Sequence, residues 1–331
     1  METTYRDALR QAIIDEMNAN PDVIVMGEEV GRYGGAYGVT KGLYEMFGAG
    51  RLIDTPISEP AIIGAAIGAA MTGLRPIAEL MYVDFAGLTM DQIGNQAAKS
   101  RYMFGGQIGV PLVVRMPGGT GRSGAAQHSQ SLEAWFAHMP GLRVAMPATI
   151  NDAYHLLRMA MRQPDPVIFI EHKGLYVKKG EMDPARPDGG WGESVVRRVG
   201  KDLTIVAYSK MVFEALDAAS ALAAQGIEAE VIDIRTLNPL DDATLFTSVA
   251  KTGRAMVISE APLTGGFAAE LSARISERCF EWLEEPVLRI SGEDIPIPVS
   301  PALEKGSVPN AKLIEETALW LVARARPAWA V

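Results

Sequence analysis

In the stretch ISEPAIIGAAIGAAMTG, Ile57 to Gly73, one carboxylate, Glu59, stands against a run of Ala, Gly and Ile. Pro60 suits a first helical turn, where the helix dipole also favours an acid, so Glu59 reads as a solvated near-cap. It reads equally as a partly buried acid. Burial would disfavour the charged form and raise the pKa, as a proton-donating or proton-sharing carboxyl requires. The helix that follows carries Ala61, Gly64, Ala65, Gly68 and Ala69 on one face, which lets another backbone come close. Spacing alone leaves both readings of Glu59 open.

A second candidate is GGTGRSG, which satisfies GxGxxG at Gly119, Gly121 and Gly124. A dinucleotide site needs a tight strand-to-helix turn and an acid roughly 20 residues on, at the end of the next strand. Here Pro117 precedes the glycines and AAQHSQSLEAWF supplies no such strand. The segment therefore reads as a flexible loop that closes over a site. Just beyond it lies His128, one of four histidines with His138, His155 and His172. Beside glycine-rich backbone and small polar residues, its imidazole is placed to approach a substrate and move a proton. His155, in a helical stretch, reads as surface or filler. A serine hydrolase lacks its GxSxG elbow. With Cys279 the only cysteine and no HExxH, zinc sites and disulfide frameworks are excluded, and the cysteine reads as packing in SARISERCFEWL.

The elements that must hold these residues alternate. Thr4–Met17 reads as an amphipathic helix and Val23–Met26 as a buried strand. Strand-length apolar runs recur at Pro76–Val83, Val110–Met116 and Pro166–Glu171, with helical stretches at Asp91–Tyr102 and Asn151–Arg162. A segment rich in Gly, Pro and charge follows, and then LTIVAYS, AEVIDIR, AMVISE and PVLRIS alternate with helical Val212–Gln225, Asp241–Lys251 and Gly266–Leu283. The expected architecture is α/β, two mostly parallel-sheet domains, 1–185 and 201–331, joined by a linker at 186–200. A length of 331 residues fits two cores. A net charge of -9 argues against a nucleic-acid surface. The apolar stretch Pro60–Leu74 falls short of the roughly 20 residues that span a bilayer. METTYRDALRQ does not read as a signal peptide, so the expected location is cytoplasmic.

Taken in order, GEEVGRYGGAYGVTKGL, DTPISEPAIIGAAIGAA, RPIAELMYVDFAG, DQIGNQAAKSRYMFGG, AAQHSQSLEAWFAHMPGLRV, DPVIFIEHKGLY, AYSKMVFEAL, AEVIDIRTLNPLD and VAKTGRAMVISEA resemble the beta subunits of thiamine-diphosphate-dependent 2-oxoacid dehydrogenases over nearly the whole chain. GVTKGL, ELMYVDFAG and QAAKSRYMFGG look most like acetoin dehydrogenase beta subunits, with pyruvate-type subunits close behind. The resemblance implies a pyrimidine-binding domain followed by a transketolase C-terminal-like domain.

By the same resemblance Glu59, in the pattern E-x4-G-Φ-x-x-G with Gly64 and Gly68, matches the carboxylate that hydrogen-bonds the cofactor's pyrimidine ring. Phe85 matches the aromatic stacked on that ring. Glu28 matches a polar neighbour, Ile57 and Met81 match apolar contacts, and His128 matches the active-site histidine beside the substrate. Backbone carbonyls at Leu112, Ala160, Met161, Gln163 and Asp165 match a potassium site, although Pro164 in MRQPDP departs from the usual pattern, as does Pro60 after Glu59. The family's GDG motif for Mg²⁺ and the diphosphate is absent, so that half of the site falls to an alpha subunit in an α2β2 heterotetramer. The implied reaction cleaves acetoin, or decarboxylates pyruvate or a branched 2-oxoacid. The acyl unit then passes to lipoyl on an acyltransferase component. A nicotinamide oxidoreductase using GGTGRSG and a non-catalytic structural partner are the rival classes; Glu59, Phe85 and His128 occurring together speak against the second.

Overall fold

The computed structural model describes residues 1–323; the last eight positions of the expected second domain lie outside them. The first helix, Tyr5–Ala19, starts where Thr4 caps it by accepting the Asp7 N–H at 3.1 Å. It buries Leu9, Ala12, Ile13 and Met17 against the helix Ile150–Met161. Among the described residues the larger sheet has seven strands, in the order Thr236–Asn238, Arg143–Ala145, Val167–His172, Val113–Gly118, Arg75–Glu79, Val23–Gly27 and Leu52–Asp54. All are parallel except Thr236–Asn238, which runs antiparallel to Arg143–Ala145.

The second sheet orders Leu288–Gly292, Ala255–Pro262, Leu203–Ala207, Ala229–Asp233 and Val195–Arg198, with Val195–Arg198 the antiparallel edge. The central strands are buried on both faces, so they read as unbroken apolar runs.

Three departures from the sequence reading have local causes. Val195–Arg198 falls inside the expected linker, but its two valines find a free edge on Ala229–Asp233. Residues 229–238 make two strands in different sheets, because Arg235 takes a left-handed φ of 57° and turns the chain. The run Pro76–Val83 leaves the sheet at Glu79, and a tight 3₁₀ segment, Val83–Thr89, follows.

The helix Glu59–Met71 is also placed differently from expectation. It buries Ile62, Ile63, Ala66, Ile67 and Ala70, while Ala61, Gly64, Ala65 and Gly68 face outward. A methyl group added at Gly68 would meet nothing within 4 Å, so no packing inside this chain calls for that glycine.

Candidate active site

The proposed site residues follow the carboxyl ends of neighbouring parallel strands, the edge at which open α/β sheets bind ligands. Val23–Gly27 delivers Glu28, and Leu52–Asp54 leads to Ile57 and Glu59. Arg75–Glu79 leads to Met81, Tyr82 and Phe85. Val113–Gly118 runs into the glycine-rich segment and His128, and Val167–His172 into Lys173.

Glu59 is the first residue of its helix and only 7% exposed. Its side chain has no hydrogen-bond partner among the described residues, so it is near the cap and buried at once. Glu28 is buried too, and its Oε1 has no partner. Burial first, then the Glu59 and Glu29 charges, push the Glu28 carboxyl above its ordinary value. A buried carboxylate oxygen with no partner, as on Glu28, can accept a hydrogen bond from a bound group. Met81 is half-buried, whereas Ile57 is 82% exposed.

An aromatic group gathers at the end of the neighbouring strand Arg75–Glu79. Phe85 meets Tyr82 edge-on at 5.6 Å, and the His128 ring packs edge-on against both, at 4.7 Å from Tyr82 and 5.5 Å from Phe85. Lys173, 1% exposed, donates to the His128 carbonyl and, at 3.4 Å, to Ser129 Oγ. Its ammonium lies 5.4 Å from the centre of the Tyr82 ring. Burial lowers the Lys173 pKa against the opposing pull of Asp84, Glu304 and Glu260. Asp84 accepts from Gln130 through backbone N–H at 3.2 Å and Nε2 at 2.9 Å, tying the segment after His128 to the aromatic turn.

The glycine-rich segment is latched to the second half of the chain. Thr120 N–H donates to Glu260 at 2.6 Å, and the N–H groups of Gly121 and Ser123 donate to the two oxygens of Glu304 at 2.9 and 3.1 Å. Gly119 and Gly121 have φ of 81° and 96°, but Ser123 and Ala125 also stand at 52° and 57°. Each such non-glycine residue costs about 1–2 kcal/mol. A hydrogen bond to a charged group contributes about 1.5–3 kcal/mol, so three of them outweigh the strain. Beyond the segment, Glu260 meets His172 Nε2 at 2.9 Å, and His172 Nδ1 lies 3.0 Å from the Gly174 N–H. Burial alone would raise the Glu260 carboxyl. His172, Lys210 and the Thr120 N–H together bring it down to about 2.

Beneath the edge, Arg115 is buried between two carboxylates. Its Nη1 meets Glu79 at 2.5 Å, and its Nε and Nη2 meet Glu171 at 2.5 and 2.7 Å. Tyr176 OH donates to Glu171 at 2.6 Å. The group clamps the three adjacent strands whose ends carry Tyr82, the glycine-rich segment and Lys173.

The residues matched to a potassium site lie elsewhere, before the strands Val113–Gly118 and Val167–His172. The Leu112 carbonyl accepts the Val167 N–H at 2.8 Å, and that of Ala160 accepts the Gln163 N–H at 3.1 Å. Arg75 donates to the carbonyls of Met161 and Gln163 at 2.9 and 2.8 Å. The Asp165 side chain pairs with Arg101 and Arg143.

Sequence reasoning passed over Tyr82, Lys173, Glu260 and Glu304. For Tyr82, Lys173 and Glu260 the available signal was position, at the carboxyl ends of parallel strands as in LMYVDF and IEHKG; Glu304, in the helix Pro301–Gly306, carried no such signal.

This two-domain architecture matches the pyrimidine binding domain of transketolase over residues 1–179 and the transketolase C-terminal domain over residues 192–314. A solved structure described as a split-gene transketolase, inactive beta4 tetramer, shares the fold with a TM-score of 0.80, covering 96% of this chain and 98% of that one at 23% identity. The pyruvate dehydrogenase E1 component subunit beta of Rhizobium meliloti is 48% identical over 93% of this chain and 67% of its own length. The acetoin:2,6-dichlorophenolindophenol oxidoreductase subunit beta of Cupriavidus necator is 47% identical over 94% and 95%. The 2-oxoisovalerate dehydrogenase subunit beta of Bacillus subtilis is 44% identical over 94% and 96%. The chain belongs to the beta-subunit family of the thiamine-diphosphate-dependent 2-oxoacid and acetoin dehydrogenases. No helix among the described residues is long and apolar enough to cross a membrane.

Proposed function

We propose that this chain forms the pyrimidine half of a thiamine-diphosphate site in an α2β2 dehydrogenase that cleaves acetoin or decarboxylates a 2-oxoacid. The observation that carries this is Glu59, 7% exposed at the start of its helix, with its charge acting on the buried Glu28, whose Oε1 has no partner. Such acceptors suit the polar edge of an aminopyrimidine, and the ring of Phe85 offers it an aromatic surface. Bound thiamine diphosphate supplies the electron sink for breaking a bond next to a carbonyl.

The chain's own residues do the rest. Glu59 offers its carboxylate to the bound group's polar edge, and Glu28, raised by burial and by the Glu59 and Glu29 charges, stands near it. His128, its ring braced by Tyr82 and Phe85 and its carbonyl held by Lys173, gives or takes a proton at the substrate. An alpha subunit holds Mg²⁺ and the diphosphate, consistent with the missing GDG motif. The outward small-residue face of the helix Glu59–Met71 supports close packing against a partner subunit. Transfer of the acyl unit to lipoyl on an acyltransferase component completes the reaction. A cytoplasmic location belongs to this reading, in keeping with the free, buried Cys279. A potassium ion at Leu112, Ala160, Met161, Gln163 and Asp165 would share carbonyls with the Arg75 guanidinium, and it has no part in the chemistry.

The test is co-expression with an alpha-type partner and dye reduction with thiamine diphosphate and Mg²⁺, comparing acetoin, pyruvate and 2-oxoisovalerate. Activity on one of them is expected, and Glu59→Gln lowers it by at least a hundredfold. Full activity in Glu59→Gln would remove the basis for the proposal.

A further inference from the structure

The geometry points to Glu304, with Glu260, as a positioning residue that sets the segment 118–124 and through it His128. This rests on the role proposed for His128. Both carboxylates come from the second half of the chain and reach across to three backbone N–H groups, those of Thr120, Gly121 and Ser123. Glu304 is 4% exposed and takes two of the three, one on each oxygen. A buried carboxylate whose oxygens each meet a main-chain donor fixes the direction of the backbone as well as its place.

The segment's shape passes to His128 by contact. A methyl group at Gly124 would lie 2.9 Å from the His128 carbonyl and 2.8 Å from Ser129 Oγ, so the two stretches touch without slack. The His128 N–H donates to the Ala125 carbonyl at 3.3 Å, closing the turn between them. Ser123 and Ala125 are held in left-handed backbone that they would leave if released. The same two carboxylates also favour the charged form of Lys173, whose ammonium holds the His128 carbonyl from the other side. The second half thus reaches the first half's site through the main-chain N–H groups of Thr120, Gly121 and Ser123 and through the Glu260 contact with His172.

The segment provides its own reporter, since Arg122 is exposed and the Arg122–Ser123 bond is a tryptic site whose N–H is the one bound by Glu304. The purified full-length chain and its Glu304→Ala and Glu304→Gln variants are treated with trypsin under native conditions. Cleavage at Arg122 is expected to accelerate at least tenfold in Glu304→Ala and less in Glu304→Gln, which keeps one acceptor, with the melting temperature close to wild type. Each chain is then assembled with its alpha partner and assayed. The expected outcome is a tenfold or greater fall in kcat with little change in KM for Glu304→Ala, partly restored in Glu304→Gln. Unchanged cleavage at Arg122, or acceleration at every tryptic site alike, overturns the latch. Faster cleavage with unchanged kcat overturns the link to His128. An inactive wild-type assembly counts against the proposed function alone, since the cleavage comparison still decides the latch.

Discussion

Replacing Arg115 with Met tests whether the buried ion group holds the strands that carry the site. Arg115 is 1% exposed, and its partners Glu79 and Glu171 are 6% and 0% exposed. Burial opposes the guanidinium's charge, but the two carboxylates outweigh it and raise its pKa. Met fills only part of that volume and makes none of the three contacts at 2.5 to 2.7 Å, leaving two buried carboxylates without their cation. Removing one partner of a buried pair costs about 3–5 kcal/mol. For a chain of this size that is a fall in melting temperature of roughly 4–7 °C. An exposed counterpart sets the scale: Arg274, 41% exposed and paired with Glu270 and Asp242, should cost under about 1 kcal/mol on the same change. The sign of the pH effect is also determined. Burial already holds the Glu79 carboxyl above its ordinary value against the pull of Arg115, and without Arg115 it rises further, so stability is present at low pH and lost as pH rises through the folded pKa. The gap between variant and wild type should therefore widen from pH 5 to pH 8. Denaturant unfolding at both pH values measures it, and adding Glu79→Gln and Glu171→Gln should recover part of the loss. A cost near that of Arg274→Met, or a gap independent of pH, would refute the reasoning.

Gly124→Ala places a methyl group 2.8 Å from Ser129 Oγ and 2.9 Å from the His128 carbonyl. It should lower kcat by roughly 10–100-fold through misplacement of His128, at a stability cost of about 1–3 kcal/mol. Steady-state kinetics with wild-type kcat would show that His128 is not in the reaction. Glu260, brought from 4.5 to about 2, gives an acid-side prediction. A depressed carboxyl stabilises fully above its unfolded pKa, and that stability is lost as pH falls through the folded one. The whole contribution is about 3 kcal/mol, of which roughly 0.8 kcal/mol is gone by pH 4. Unfolding titrations at pH 7, 5 and 4 should show this slope in the wild type and a shallower one in Glu260→Gln; identical slopes would contradict it.

Local signals made part of the site legible. Glu59 stands out because an acid beside Pro60 interrupts an apolar helix, and His128 because few histidines exist and this one follows glycines. Glu59 opens a helix, as the near-cap reading has it, but it is buried rather than solvated. The latch was invisible for a different reason. Glu304 and Gly121 are joined by a hydrogen bond across 183 positions, and no periodicity marks either. The same limit hid the edge strands. TLN is too short to register as a strand, and its pairing depends on Arg235, whose guanidinium is buried against Asp152 and the carbonyls of Gly189, Gly190 and Glu193. The loose composition of 186–200 masked Val195–Arg198, because two valines among Gly and charge form a strand only when a neighbour's edge is free.

The strand Thr236–Asn238 also sets an order of events during synthesis. The first sheet lacks its last strand until the ribosome has passed Asn238, well into the second half of the chain. Until then Arg143–Ala145 presents an open edge, which is where nascent chains pair wrongly with one another. Asp152 likewise waits for Arg197 and Arg235. A fragment cut between the two sheets would inherit the open edge permanently. The halves are therefore not beads on a string: the later one finishes folding the earlier.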